Sequence, residues 1–260
     1  MELESLVRQG GACPATIAVL DGLARVGLDE SELRRVATEP GFRKLGLRDL
    51  APALASRASG ATTVSATSYL AERAGLRVFA TGGLGGVHRG WVSSRDESAD
   101  LEVLAGTPLT VVCAGVKSIL DVPATLQRLE TLNVTVLGYR TWEFPGFYLH
   151  SSGEPLDWRV DDPAGVVAVM RRRDELQTSS ALVVANPVAV ERQLDPVLHD
   201  AVLAEALSAA ERDNVRGQAL TPFLLDAMVR GTNGASLEAN LEAVRSNVLL
   251  ATAVAGEMQV

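Results

Sequence analysis

Lys117 stands directly after an apolar, β-branched run in Thr110-Val-Val-Cys-Ala-Gly-Val-Lys-Ser-Ile-Leu-Asp121. Open α/β sheets bind ligands at the carboxyl ends of their strands. A lysine packed there among apolar groups loses proton affinity and offers a neutral amine to a carbonyl-like carbon. A lysine reaching solvent from a helix start is the commoner outcome for such a residue. A second segment, Ala80-Thr-Gly-Gly-Leu-Gly-Gly-Val-His-Arg-Gly90, places five glycines after a strand-like run. Such a loop lets backbone N–H groups approach an anion, with His88 and Arg89 as further donors; the alternative is a tight turn with a structural histidine. It lacks the Gly-Lys-Ser/Thr ending of a nucleotide P-loop, and no acidic residue is clearly placed for a dinucleotide fingerprint.

Ser94-Arg-Asp-Glu-Ser-Ala-Asp100 leads into a helix-like stretch. Asp96, Ser98 and Asp100 suit helix capping, or equally a hydrated divalent cation or sugar hydroxyls. Lys44 and Arg48 flank Gly46 and form either a solvated basic face or a phosphate grip. Asn240 lies on the expected inner face of the last helix, where a buried amide must find partners. It is a structural tie or a substrate ligand.

The elements that carry these residues follow from periodicity. Residues 2–9 read as a helix, 15–20 as a strand, Asp21-Gly22 as a hairpin turn, and 24–28 as the returning strand. Residues 29–38 read as a helix capped by Asp29. From residue 60, strand-like runs at 78–81, 109–114, 134–138 and 181–186 alternate with helix-like runs at 65–74, 99–105, 122–132 and 163–173. Short, continuous, Val-rich strands are those buried on both faces of a parallel sheet. Helices are predicted over 196–215, 221–231 and 236–255, the last capped by Ser236. The expected fold is α/β: a three-layer α/β/α domain over 1–260 with a mixed, largely parallel sheet and C-terminal helices.

The chain has 260 residues, 47 % of them hydrophobic and 22 % charged, which suits an ordered globular protein. The formal charge of −8 argues against a general nucleic-acid surface. Cys13 and Cys113 sit in apolar surroundings and read as buried free thiols. No basic-then-apolar leader opens the chain, and no apolar run reaches the ~20 residues a membrane span needs. A cytoplasmic location is expected.

These segments together resemble the pseudouridine-5′-phosphate glycosidase family. The resemblance rests on Pro14-Ala-Thr-Ile-Ala-Val-Leu-Asp-Gly22, Lys44 with Arg48-Asp-Leu50, Thr62-Thr-Val64, the glycine loop, Asp96 with Ser98-Ala-Asp-Leu101, and Thr107-Pro. It continues through Val111-Val-Cys-Ala-Gly115 with Lys117-Ser-Ile-Leu-Asp121, Glu143-Phe-Pro, Ala185-Asn-Pro187, Thr221-Pro-Phe-Leu-Leu225 and Ser236-Leu-Glu-Ala-Asn240. It implies reversible cleavage of the C–C glycosidic bond of pseudouridine 5′-phosphate to uracil and ribose 5-phosphate. By resemblance, Lys117 forms a covalent adduct with the anomeric carbon and then an imine. Asp96 would hold a divalent metal, usually Mn²⁺. Lys44, Val64, Ser98, Ala99, Asp100 and Asn240 would contact substrate. A homotrimer with an α/β/α core is implied.

The family also carries an upstream Ala-Leu-Glu-Ser-Thr motif whose glutamate is the general acid. This sequence does not contain it. Leu3-Glu4-Ser5 lies too close to Pro14 and reads as part of the preceding helix, so the acid role is not transferred to Glu4. General acid catalysis contributes ~10²–10⁴-fold, so the expectation is a shortened form of a longer protein or an altered activity. Gly46-Leu47 replaces the family's usual Ser-Arg, which removes a possible phosphate donor. Arg95 replaces a common aromatic, and Trp142 precedes Glu143-Phe-Pro. A C-glycosynthase joining ribose 5-phosphate to another acceptor is the alternative, followed by an impaired sugar-phosphate binder.

Overall fold

The computed structural model describes residues 1–259. Helix α1 (Glu2–Gln9) is followed by strands β1 (Ile17–Leu20) and β2 (Leu23–Val26). They pair antiparallel from Ile17↔Val26 to Leu20↔Leu23, so Asp21 and Gly22 form the whole turn. Both have positive φ, 52° and 78°, the backbone a type I′ hairpin requires. Helix α2 (Glu30–Thr38) starts at Asp29, whose side chain accepts from Glu32 N–H while Glu32 accepts from Asp29 N–H. This reciprocal box is the predicted cap. Next come β3 (Arg43–Leu45), α3 (Leu47–Ala55), β4 (Gly60–Thr62) and α4 (Val64–Arg73).

The second half contains β5 (Val78–Ala80), α5 (Trp91–Ser94), α6 (Ala99–Ala105), β6 (Thr110–Cys113), α7 (Val122–Thr131) and β7 (Thr135–Tyr139). It continues with β8 (Arg159–Val160), α8 (Pro163–Glu175), β9 (Leu182–Ala185), α9 (Pro196–Arg212), α10 (Leu220–Gly231) and α11 (Ala235–Glu257).

The α/β class with largely parallel strands is as expected from sequence, but the strands divide into two sheets. One is a mixed four-stranded sheet, β2-β1-β4-β3; the other is five-stranded and wholly parallel, β5-β6-β9-β7-β8. The Asp21-Gly22 hairpin enforces antiparallel pairing. The second sheet is built from crossovers, which keep strands parallel. Alternation along β6 and β9 makes the layers. Val111, Cys113, Val183 and Ala185 face Leu104 of α6, Leu129 of α7 and Leu203 of α9. Val112, Leu182 and Val184 face Val166 and Met170 of α8 and Leu250 and Val254 of α11. In the small sheet, Val19 packs on Leu50 and Ala53 of α3, and Ala18 and Leu20 pack towards Leu33 and Val36 of α2.

Two smaller expectations are corrected. The residue preceding α11 is Gly234, with φ 89°, while Ser236 lies within the helix, fully buried. Its N–H donates to Thr232 Oγ1. Cys13 is exposed, because the buried strand begins only at Ile17; Cys113 is buried, and neither thiol is paired. Among the described residues, no helix is long and apolar enough to cross a membrane.

Candidate active site

A cavity of about 1060 Å³ opens at the carboxyl ends of β5 and β6. Its walls come from three parts of the chain: the β3–α4 region, the loops after β5 and β6, and helices α10 and α11. All the residues predicted for the site line it: Lys44, Val64, Asp96, Ser98, Ala99, Asp100, Lys117 and Asn240.

Lys117 is held by a zipper between two neighbouring loops. Ala114 N–H donates to Gly82 O at 2.9 Å, Leu84 N–H to Gly115 O at 2.9 Å, and Lys117 N–H to Leu84 O at 3.1 Å. The β5–β6 pairing thus continues past the strands and fixes the backbone from which Lys117 projects. Burial lowers the Lys117 pKa, Asp100 opposes that shift, and the positive charge of Lys44 adds to it. The amine is therefore more easily neutral than an ordinary lysine. Removing the Lys44 charge by Lys44→Met should let the Lys117 pKa rise. A pH–rate profile should show the limb that reports Lys117 deprotonation moving to higher pH.

Asp100 is the clamp of the site. It is buried, and its two oxygens accept from Ser65 N–H at the start of α4 (2.8 Å) and from Gly85 N–H in the glycine loop (2.9 Å). Ser98 caps α6 by accepting from Asp100 N–H, so the capping reading holds for Ser98. Gly85 cannot carry a side chain here. A Cβ would lie 2.6 Å from Asp100 Oδ2 and 2.6 Å from Ser98 Cβ. Gly85→Ala is expected to displace the clamp and cost both melting temperature and turnover, readable by thermal denaturation and assay of one preparation.

Asp96 lines the cavity beside His88, whose backbone N–H donates to Asp96 O at 3.0 Å. Burial lowers the His88 pKa, Asp96 opposes the shift, and Lys44 and Lys117 add to it. The imidazole is thus disposed to be neutral. Among the described residues, no group of three or more His, Cys, Asp or Glu is gathered as a metal cage. One carboxylate at an open cavity suits a divalent ion that keeps most of its water.

Arg48 lines the cavity, but its side chain is largely exposed and faces Asp49 at 3.5 Å. Asn240 lines the cavity, and its Oδ1 is buried against Gly82 with no hydrogen-bond partner among the described residues. Sequence reasoning gave no role to Ser65, Phe147 or Tyr148. Phe147, at φ 67°, would touch a Cβ at Gly83, and Tyr148 lines the cavity with its hydroxyl pKa pushed up to about 12 by burial. Two aromatics after a glycine give no local signal that separates a site wall from core. Glu4 is absent from the cavity; it is buried and accepts from Thr16 Oγ1 at 2.7 Å and Arg8 Nη2 at 3.0 Å.

The fold and this site define an α/β protein with a lysine-centred small-molecule cavity at parallel strand ends. The model of the family described as indigoidine synthase A like protein matches residues 1–257. The chain belongs to that family. It is 67 % identical over 255 residues to a pseudouridine-5′-phosphate glycosidase of Streptomyces griseus, covering 98 % of this chain and 79 % of the relative. It is 58 % identical over 255 residues to a protein of the same name from Frankia alni, covering 98 % of this chain and 71 % of the relative. Among solved structures it resembles the prealnumycin C-glycosynthase determined with ribulose 5-phosphate. That match has a TM-score of 0.89 and 34 % identity, over 99 % of this chain and 86 % of the other. An indigoidine synthase A-like protein of Thermotoga maritima superposes with a TM-score of 0.91 at 35 % identity, over 99 % and 85 % of the two chains.

Proposed function

We propose that the protein cleaves the C–C glycosidic bond of pseudouridine 5′-phosphate, releasing uracil and ribose 5-phosphate, and runs the reverse reaction. The observation that carries this reading is Lys117: a lysine whose amine burial renders easily neutral, in one cavity with Lys44, Asp96 and Asn240. The 67 % identical glycosidase supplies the substrate class.

A C–C glycosidic bond has no leaving heteroatom to protonate, so an electron sink must be created. The neutral Lys117 amine attacks C1′, the C1′–O4′ bond breaks, and O4′ takes up a proton as the alkylated nitrogen gives one up. The ring-opened sugar is then a secondary amine still bonded to uracil C5. Protonation of C5 breaks the C1′–C5 bond as the nitrogen lone pair forms the C1′=N⁺ iminium. Water hydrolyses the iminium to ribose 5-phosphate and regenerates the amine. Lys44 and the Val64 N–H at the first turn of α4 bind the phosphate, the neighbouring Ser65 N–H being held by Asp100. Ser98, Ala99 and Asp100 hold the sugar, and the free Asn240 Oδ1 accepts from a substrate N–H or O–H. Glu4 takes no acid role.

Asp96 would hold Mn²⁺, or another divalent cation, largely through water. When bound, that ion supplies charge neutralisation for oxygen atoms of the substrate. We read the protein as a cytoplasmic homotrimer with no nucleic-acid or membrane partner, in keeping with its charge of −8 and a phosphorylated substrate.

The test is a product assay. Pseudouridine 5′-phosphate with Mn²⁺ should yield uracil and ribose 5-phosphate in equal amounts. The similarity to the prealnumycin C-glycosynthase motivates the second reading, joining of a sugar phosphate to another aromatic acceptor. C–C coupling of ribose 5-phosphate to such acceptors, with none to uracil, would favour it.

A further inference from the structure

Asn240 lines the cavity with an Oδ1 that has no partner among the described residues, and a buried structural tie on α11 lies two helical turns further on. Asn247 is fully buried. Its Nδ2 donates to Thr81 O at 2.8 Å, and its Oδ1 accepts from Asn186 Nδ2 at 2.9 Å. Asn186 Nδ2 also donates to Ser246 Oγ at 3.0 Å. The Asn186 backbone N–H donates to Cys113 O at 2.8 Å, at the end of the strand that leads to Lys117. A chain of amides thus joins the carboxyl ends of three strands, β5, β6 and β9, to one helix. Such buried amides are high-stakes: satisfied, they fix one arrangement; half-satisfied, they are costly.

The helix has no slack against the glycine loop. Asn240, Val244 and Asn247 share one face of α11 by their i, i+4, i+7 spacing. A Cβ at Gly82 would stand 2.7 Å from Asn240 Oδ1 and 3.1 Å from Val244 Cγ2. Thr81 and Gly82 begin the loop that is zipped to the Lys117 backbone.

We infer that Asn247 is a positioning residue. Its hydrogen bond to the Thr81 carbonyl sets the glycine loop against α11 and so fixes Asn240 Oδ1 relative to Lys117. Asn186 holds the Asn247 amide in the orientation that donates to Thr81. The geometric part stands on these contacts alone; its consequence for turnover rests on the function proposed above.

Asn247→Leu tests this. Leucine keeps about the size but has no group to donate to Thr81 O or to accept from Asn186, whose Nδ2 keeps its bond to Ser246 Oγ. Two readouts are needed. Hydrogen exchange at the Leu84 and Lys117 amides should quicken by about tenfold or more, while Val183 in the central strand keeps its protection. The kcat for pseudouridine 5′-phosphate should fall by between about tenfold and a hundredfold, the cost of misplacing a reacting group by an ångström. Combined with Asn240→Ala, the losses should not add, because Asn247 acts through Asn240.

Unchanged exchange at Leu84 and Lys117 overturns the inference. So does a lowered melting temperature with unchanged kcat, which would make Asn247 a stability anchor only, and so do fully additive losses. If the wild type cleaves no pseudouridine 5′-phosphate, the proposed function fails, and the exchange comparison still decides the positioning. Should Asn247→Leu not fold, Asn186→Ser carries the same expectations.

Discussion

Lys117→Met should abolish cleavage of pseudouridine 5′-phosphate, lowering kcat by roughly 10³-fold or more, the scale on which loss of a nucleophile is felt. Methionine keeps the unbranched stem and about the size without the amine, so the loss is chemical. The half-buried amine is an amine nucleophile whose surroundings favour its neutral form, and without it the C1′–C5 electrons have nowhere to go. The melting temperature should not fall, because the substitution removes the desolvation of a chargeable group. Ribose 5-phosphate binding should persist, since Lys44 and the α4 N-terminus remain. A variant that retained more than a tenth of wild-type kcat would remove Lys117 from the chemistry.

Asp100→Asn should combine a stability loss with a shift in pH dependence. The two carboxylate oxygens accept from Ser65 N–H and Gly85 N–H. An asparagine can satisfy one of these and must turn its NH₂ towards the other. A buried unsatisfied N–H costs ~1–3 kcal/mol, and for a chain of this size each kcal/mol is about 2–4 °C of melting temperature. The negative charge of Asp100 holds the Lys117 pKa up against burial. Removing it lets that pKa fall further, so the limb of kcat/KM reporting Lys117 deprotonation should move to lower pH. This is opposite in sign to Lys44→Met, and the two profiles compared form a check that a general loss of structure would not reproduce. An unchanged melting temperature would contradict the clamp.

The fold was legible where the physics is local. The hairpin needs two adjacent residues with positive φ, and Asp21-Gly22 is a pair that tolerates it. The central strands are apolar runs flanked by helices, and each was placed to within a residue or two. The short β3, β4 and α3 were not legible. Strands of three residues carry too little alternation, and α3 contains Pro52, which reads as a break. Division into two sheets was hidden because periodicity says which residues are buried, not which strands pair.

The site was legible in a different way. Local chemistry left Lys117 and Asn240 undecided; the order of motifs along the chain brought them together. The Asp100 clamp could not be read from sequence, since its partners Ser65 and Gly85 lie 35 and 15 residues away. The amide chain through Asn247 spans still longer separations. Each of those residues, seen alone, is an ordinary polar residue in an apolar stretch.

The most direct measurement of the central claim is borohydride reduction of the protein with ribose 5-phosphate, followed by peptide mass mapping. The expected result is one reduced sugar-phosphate adduct, on the peptide containing Lys117, absent from Lys117→Met and present in Lys44→Met at raised sugar concentration. No adduct, or an adduct on another lysine that survives Lys117→Met, would contradict the assignment of Lys117 as the residue that bonds to the sugar.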